Sequence, residues 1–346
     1  MPLRRCRREP PVRGGCTKSA NVLGHCSHPA TVAVSTVLLM LGAAACGSAG
    51  RDAPRSRAAA PGHPRGGAPA SRASPPIALS SLRGRIVYSH GDDVWVARAD
   101  GSGPRRLTRR RGPEFDPSWS PDGRRIAYRD SRRGINRNDE IYVMDADGTH
   151  AHNLTRSPYN EWSPSWSPDG GLIAFYSAEL FAMRPDGTRA RQVTEVEGEY
   201  PAWSPDGRQI AFMSSQPGAR GNNPNYDVVV VNRNGSDARR LSDWPGTDGW
   251  PAWSPDGRSI AFTSTHDPAG NGPFRLYVMA ADGSGKRLLT PTMSGAFPVW
   301  SPDGRTIMFS GSHGGDGDHD HLWVIRPDGS GLRKLPVVGW LPDWRR

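Results

Sequence analysis

Trp-Ser-Pro-Asp-Gly occurs five times, beginning at Trp119, Trp166, Trp203, Trp253 and Trp300, and nothing else in the chain restricts the fold as strongly. Each copy follows a proline by two residues (Pro117, Pro164, Pro201, Pro251, Pro298) and precedes an apolar triplet such as Ile126-Ala127-Tyr128 or Ile260-Ala261-Phe262. Proline sets φ for the second position of a type I turn, aspartate bonds its own backbone, and glycine takes the left-handed conformation that closes the loop. The unit is therefore a β-hairpin. Its two strands each carry a large apolar side chain, worth about 1.5–3 kcal/mol when fully buried.

Two further strand signals complete the repeat. An apolar run (Val94-Trp95-Val96, Ile141-Tyr142-Val143, Leu180-Phe181-Ala182, Val228-Val229-Val230, Leu276-Tyr277-Val278, Leu322-Trp323-Val324) leads into an Asp-Gly or Asn-Gly turn and a short strand ending near Leu107-Thr108 or its equivalents. Four strands joined by turns make an antiparallel meander, and stacked meanders make a propeller. The second, third and fourth strands each occur six times, but the first is missing before Arg85 and turns up at the other end as Pro342-Asp343-Trp344. The expected fold is all-β, a six-bladed β-propeller of four-stranded antiparallel blades, closed by a C-terminal strand in the first blade. Closure removes the two edges that an open arc would expose.

These blocks resemble the WD-like propeller repeats of the TolB family, from about Gly84 to Trp344. The resemblance implies the propeller fold. TolB is a periplasmic partner of a peptidoglycan-associated lipoprotein and carries an α/β domain ahead of its propeller. Residues 47–83 leave no room for that domain, so a Tol-type role does not follow.

Of the net charge of +10, residues 1–80 carry +9, and the repeat region is close to neutral. That distribution argues against a nucleic-acid partner. Basic residues Arg4 to Lys18 precede an uncharged apolar run from Ala30 to Ala45, followed by Cys46, which reads as an export signal with a lipobox-like end. The domain expectation is a leader over 1–46, with Cys46 lipidated, a disordered Pro/Ala/Gly/Arg tether over 47–82 and the propeller over 83–346. No cysteine follows Cys46, so the folded part has no disulfide. The expected location is the outer face of a bacterial membrane or the secreted medium, with the membrane reached only through Cys46, and the expected state is a monomer.

In such a meander the Ser-Pro-Asp-Gly and Asp-Gly turns share one face, while the connections after the second and fourth strands share the other. Only the second set varies in length, and variable loops on a rigid scaffold commonly carry binding sites. That face also places an aromatic before each inner strand: Phe115, Trp162, Tyr200, Trp250, Phe297 and Trp340. Glu114, Asp116, Glu161, Glu199 and Asp248 accompany them. They are expected to form a rim that contacts an envelope protein or a glycan by stacking and hydrogen bonding. In the same layer His90, His266, His313, Asp316, Asp318, His319, Asp320 and His321 are weak candidates for a divalent cation. No other cofactor is expected. The sequence lacks a Gly-x-Ser-x-Gly nucleophile motif. The expectation is a non-catalytic binding module, the alternative being a propeller hydrolase or metal-dependent lyase acting on polysaccharide or peptide.

Overall fold

The structure, a computed structural model, describes residues 74–109, 112–131, 138–215, 225–266, 272–312 and 321–345. Cys46 and the leader, most of the tether, and His313, Asp316, Asp318, His319 and Asp320 lie outside the described residues. Within them, twenty-four strands form six four-stranded sheets. The six-bladed propeller expected from the repeat is the observed architecture.

Blade one is assembled from both ends of the chain. β1 (Arg85–His90), β2 (Asp93–Arg98) and β3 (Arg105–Arg106) are completed by β24 (Trp340–Arg345), which pairs with β1 in the register Ile86 to Trp344 and Val87 to Asp343. The Trp344 indole donates to the Arg83 carbonyl at 2.9 Å. Asp343 Oδ2 accepts the Trp119 N–H of blade two at 2.6 Å. Head and tail therefore close one wheel, stitched to the blade that follows.

The innermost strands of the other blades are β4 (Glu114–Trp119), β8 (Trp162–Trp166), β12 (Glu199–Trp203), β16 (Asp248–Trp253) and β20 (Ser294–Trp300). Apolar packing lies between blades rather than inside any one of them. Ala127, Ile141 and Val143 of blade two meet Trp166, Ile173, Phe175 and Met183 of blade three. Ala211, Val228 and Val230 of blade four likewise meet Ile260, Phe262 and Met279 of blade five. Both faces of each sheet are covered, which explains the near-continuous apolar runs of the middle strands. The repeated tryptophans wedge into these seams. The indoles of Trp203 and Trp300 donate to the Ser165 and Ala252 carbonyls of the preceding blade, at 3.2 and 3.0 Å.

Each Ser-Pro-Asp-Gly turn is held by its serine as much as by its aspartate. The Ser120 hydroxyl donates to Asp122 Oδ1 at 2.6 Å and accepts the Arg125 N–H at 2.9 Å. The same geometry recurs at Ser204, Asp206 and Gln209. These bonds, from the serine hydroxyl first, hold the Asp122 and Asp206 carboxyls below the usual range. The repeated aspartate is a turn residue.

Propeller packing begins before residue 83. Ile77 is buried, its N–H donates to the Gly331 carbonyl at 3.0 Å, and it joins Leu82, Leu335, Val337 and Trp344 in one cluster. Ile77, Leu79 and Leu82 are the only large apolar residues between 47 and 82, and they draw the end of the tether onto blades six and one.

Candidate functional site

The six residues immediately before the inner-strand prolines, Asp116, Ser163, Tyr200, Trp250, Phe297 and Leu341, all have φ between 51° and 56°. Left-handed backbone at a non-glycine residue costs on the order of 1–3 kcal/mol and persists only where its surroundings enforce it. Here the enforcement is positional. Proline offers no N–H to the ladder, and the register of each inner strand slips at this point, as between Phe115 and Ser118 or between Gly249 and Ala252. The bulge turns the residue before each proline toward the propeller axis.

These residues and those after them enclose an axial cavity of about 540 Å³. One end is ringed by the turn prolines Pro121, Pro168, Pro205, Pro255 and Pro302, with Arg345 in the sixth place. At the other end Tyr200, Trp250 and Phe297 pack together, with ring centroids 5.0–6.2 Å apart. The wall is divided. Blades one to three contribute Asp343, Asp116, Ser118, Ser163 and Ser165, whereas blades four to six contribute Ala202, Ala252, Val299 and the three aromatics.

Both carboxyls in the cavity are engaged. Asp116 lies 3.3 Å from Arg129, which also reaches Asp139 at 3.5 Å and lies over the Phe115 ring at 5.0 Å. Burial raises the Asp116 pKa, offset by the Arg129 charge and the Ser163 N–H. Asp343 is raised by burial as well, against the N–H groups of Trp119 and Trp344 that it accepts. Burial foremost keeps the Tyr200 phenol neutral.

The structure departs from the expectation of one exposed aromatic rim. The aromatics fall in two columns: Tyr200, Trp250 and Phe297 stand directly before proline and line the cavity, while Phe115, Trp162 and Trp340 stand one residue earlier. Phe115 packs on Trp340 at 6.2 Å and Trp162 on Tyr176 at 5.0 Å. Trp162, Trp250, Glu114, Asp116, Glu161, Glu199 and Asp248 are all buried. The cause is the bulge, which falls at the residue before proline in every blade and so sends aromatics at the two offsets in different directions. Ser118, Ala202, Ala252 and Val299, also on the cavity wall, carry no signal in the sequence because they look like spacers within the repeat.

The described metal candidates are not brought together. His90 packs edge-on against Trp95 at 5.5 Å, and His266 stacks on Trp244 at 4.2 Å. His321 begins a strand of blade six. Among the described residues no three His, Cys, Asp or Glu side chains converge as metal ligands would.

Fold and cavity together define a closed six-bladed propeller with an axial pocket. Residues 81–184 match the Tricorn protease N-terminal β-propeller domain family. TolB from Acinetobacter baumannii superimposes with a TM-score of 0.63 at 24 % identity, over 75 % of this chain and 66 % of that one. A TolB candidate from Agrobacterium tumefaciens gives 0.59 at 20 %, over 75 % and 91 %. Tricorn protease gives 0.58 at 18 %, over 77 % of this chain but 26 % of that one. The chain thus spans just under two thirds of the Acinetobacter protein and about a quarter of tricorn. No curated protein matches it. The propeller is TolB-like.

Proposed function

We propose that the protein is a non-catalytic, exported binding module of the cell envelope, and that the axial cavity receives a polypeptide segment of a protein partner. The observation that carries this reading is the cavity itself: about 540 Å³, walled by proline, alanine, valine and aromatic side chains with a few polar groups on one side. That size and composition suit a small extended ligand. Asp116 is committed to Arg129, and Asp343 accepts two backbone N–H groups. Neither is placed as a free general acid or base. The likeness to TolB propellers supports a protein partner over a glycan. Export through the leader and anchoring through a lipidated Cys46 belong to the same proposal and rest on the sequence alone.

The test fills the cavity without touching the seams between blades. Ala202→Trp, at a wall residue outside the apolar clusters between blades, should abolish capture of the partner from envelope extract while thermal unfolding stays unchanged. Capture at the wild-type level by the folded variant would refute the cavity as the contact site.

A further inference from the structure

Three successive blade junctions on the loop side each hold a pair of carboxyl groups. Between blades two and three, Thr155 donates to Glu140 Oε2 at 2.7 Å and the Ser157 N–H donates to the same oxygen at 3.3 Å. The Ser157 hydroxyl donates to Glu161 Oε1. Glu161 is buried, and its second oxygen has no hydrogen-bond partner. Between blades three and four, Glu197 accepts the Ser215 hydroxyl beside the buried Glu199, which faces Tyr176 and Tyr226. Between blades four and five, Asp227 and Asp248 are both fully buried. Ser242 donates to Asp227 at 3.4 Å, and the Ser242 and Ser264 hydroxyls also face Asp248.

Among the described residues, cations offset these pairs only in part. Asp139 also faces Glu161, and Arg129, over the Trp162 ring, is taken up by Asp116 and Asp139. Beside Glu199 the charged group is Glu197, with no cation opposing it among the described residues. Arg240, half exposed, reaches Asp227 at 3.3 Å, and Asp248 feels only Lys286, which sits over the Trp244 ring; Tyr277 and Ser264 complete its surroundings. The Asp227–Arg240 contact has its counterpart in blade one, where Asp93 meets Arg106 at 2.7 Å. Glu161, Glu199 and Asp248 are each buried beside a second carboxylate, and a carboxyl so placed ionises at a cost.

We infer that each of these three pairs binds a proton, and that the arc from blade two to blade five is a pH-dependent clasp on the loop-side starts of β8, β12 and β16. The clasp is closed while the pairs are protonated and loosens as they ionise. Burial, ahead of the neighbouring carboxylates, raises Glu161 and Glu199 to about 7 and Asp248 to about 6. Glu161 and Glu199 directly precede Trp162 and Tyr200, and Asp248 lies two residues before Trp250. Loosening would therefore be felt at the aromatic end of the axial cavity. The inference stands on the buried pairs and does not depend on what the cavity binds.

The sign follows from linkage. Carboxyls whose folded pKa is raised contribute stability that is complete below the ordinary carboxyl range and is lost as pH rises through about 6 to 7. Thermal unfolding of the purified full-length protein is therefore measured from pH 5 to pH 8, beside the variant E161Q/E199Q/D248N. The wild-type midpoint should fall by roughly 5 °C or more across that window. The variant should hold nearly level and melt above wild type at pH 8. A level wild-type midpoint, or a variant that keeps the wild-type slope, overturns the inference. Hydrogen exchange on the wild type decides the matter even if the triple variant fails to fold. After correction for the intrinsic pH dependence, amides of 162–166, 199–203 and 248–253 should lose protection between pH 6 and pH 8. Those of 294–300 and 340–345, whose strands start without an acid, should not. Equal loss in all five segments overturns it.

Discussion

Trp344→Ala probes ring closure at the point where the two ends of the chain meet. Trp344 is 7 % exposed, packs with Ile86, Tyr88, Leu335 and Val337, and donates its indole N–H to the Arg83 carbonyl at 2.9 Å. Truncating a buried tryptophan to alanine costs about 3–5 kcal/mol from lost transfer energy and the cavity left behind. The forfeited hydrogen bond is worth about 1 kcal/mol more. Against a domain stability of about 5–15 kcal/mol this is a large fraction. Trp203→Ala is the internal comparison, with 8 % exposure and one indole bond to Ser165 at 3.2 Å. Urea unfolding should show losses of about 4–6 kcal/mol for both variants. Only Trp344→Ala should also strip protection from the β1 amides, because β24 is not joined to β1 by a hairpin turn as the other inner strands are to their neighbours. A loss under about 1 kcal/mol, or β1 amides protected as in wild type, would refute closure by β24.

Three other outcomes follow from single contacts. Asp116→Ala should destabilise by about 2–3 kcal/mol, less than an isolated buried ion pair because Asp139 still faces Arg129 at 3.5 Å, and adding Arg129→Met should restore part of it in urea melts. Gly235→Ala should cost about 2 kcal/mol or more by the same assay. The residue has φ of 91°, and an added Cβ would lie 1.9 Å from the Val193 carbonyl oxygen. Ser204→Ala should cost about 1 kcal/mol, since it unties Asp206 and the Gln209 N–H from one turn without exposing apolar surface.

The fold was legible because its information is local and repeated. Ser-Pro-Asp-Gly fixes a hairpin within four residues, and Pro342-Asp343-Trp344 carries the inner-strand pattern to the chain end, where β24 forms. The site was only half legible. Phe115 and Tyr200 look equivalent when aligned by aromatic character, yet they stand at different offsets from proline, and the left-handed residue sends them to different places. Periodicity cannot register a bulge that six unlike residues adopt in common. The loop-side acids read as part of a contact rim because burial of Glu161, Glu199 and Asp248 depends on neighbouring blades, which no single repeat contains. Ile77 lay in a stretch that reads as tether by composition, although one isoleucine and two leucines suffice to dock it.

Placing the photo-crosslinking residue p-benzoylphenylalanine at Val299, on the cavity wall, and separately at Tyr159, 69 % exposed on the loop side, asks which surface meets the partner. Irradiation in envelope extract should give a discrete partner adduct from position 299 and none from position 159. An adduct from 159 alone would move the contact to the loop side and contradict the axial site.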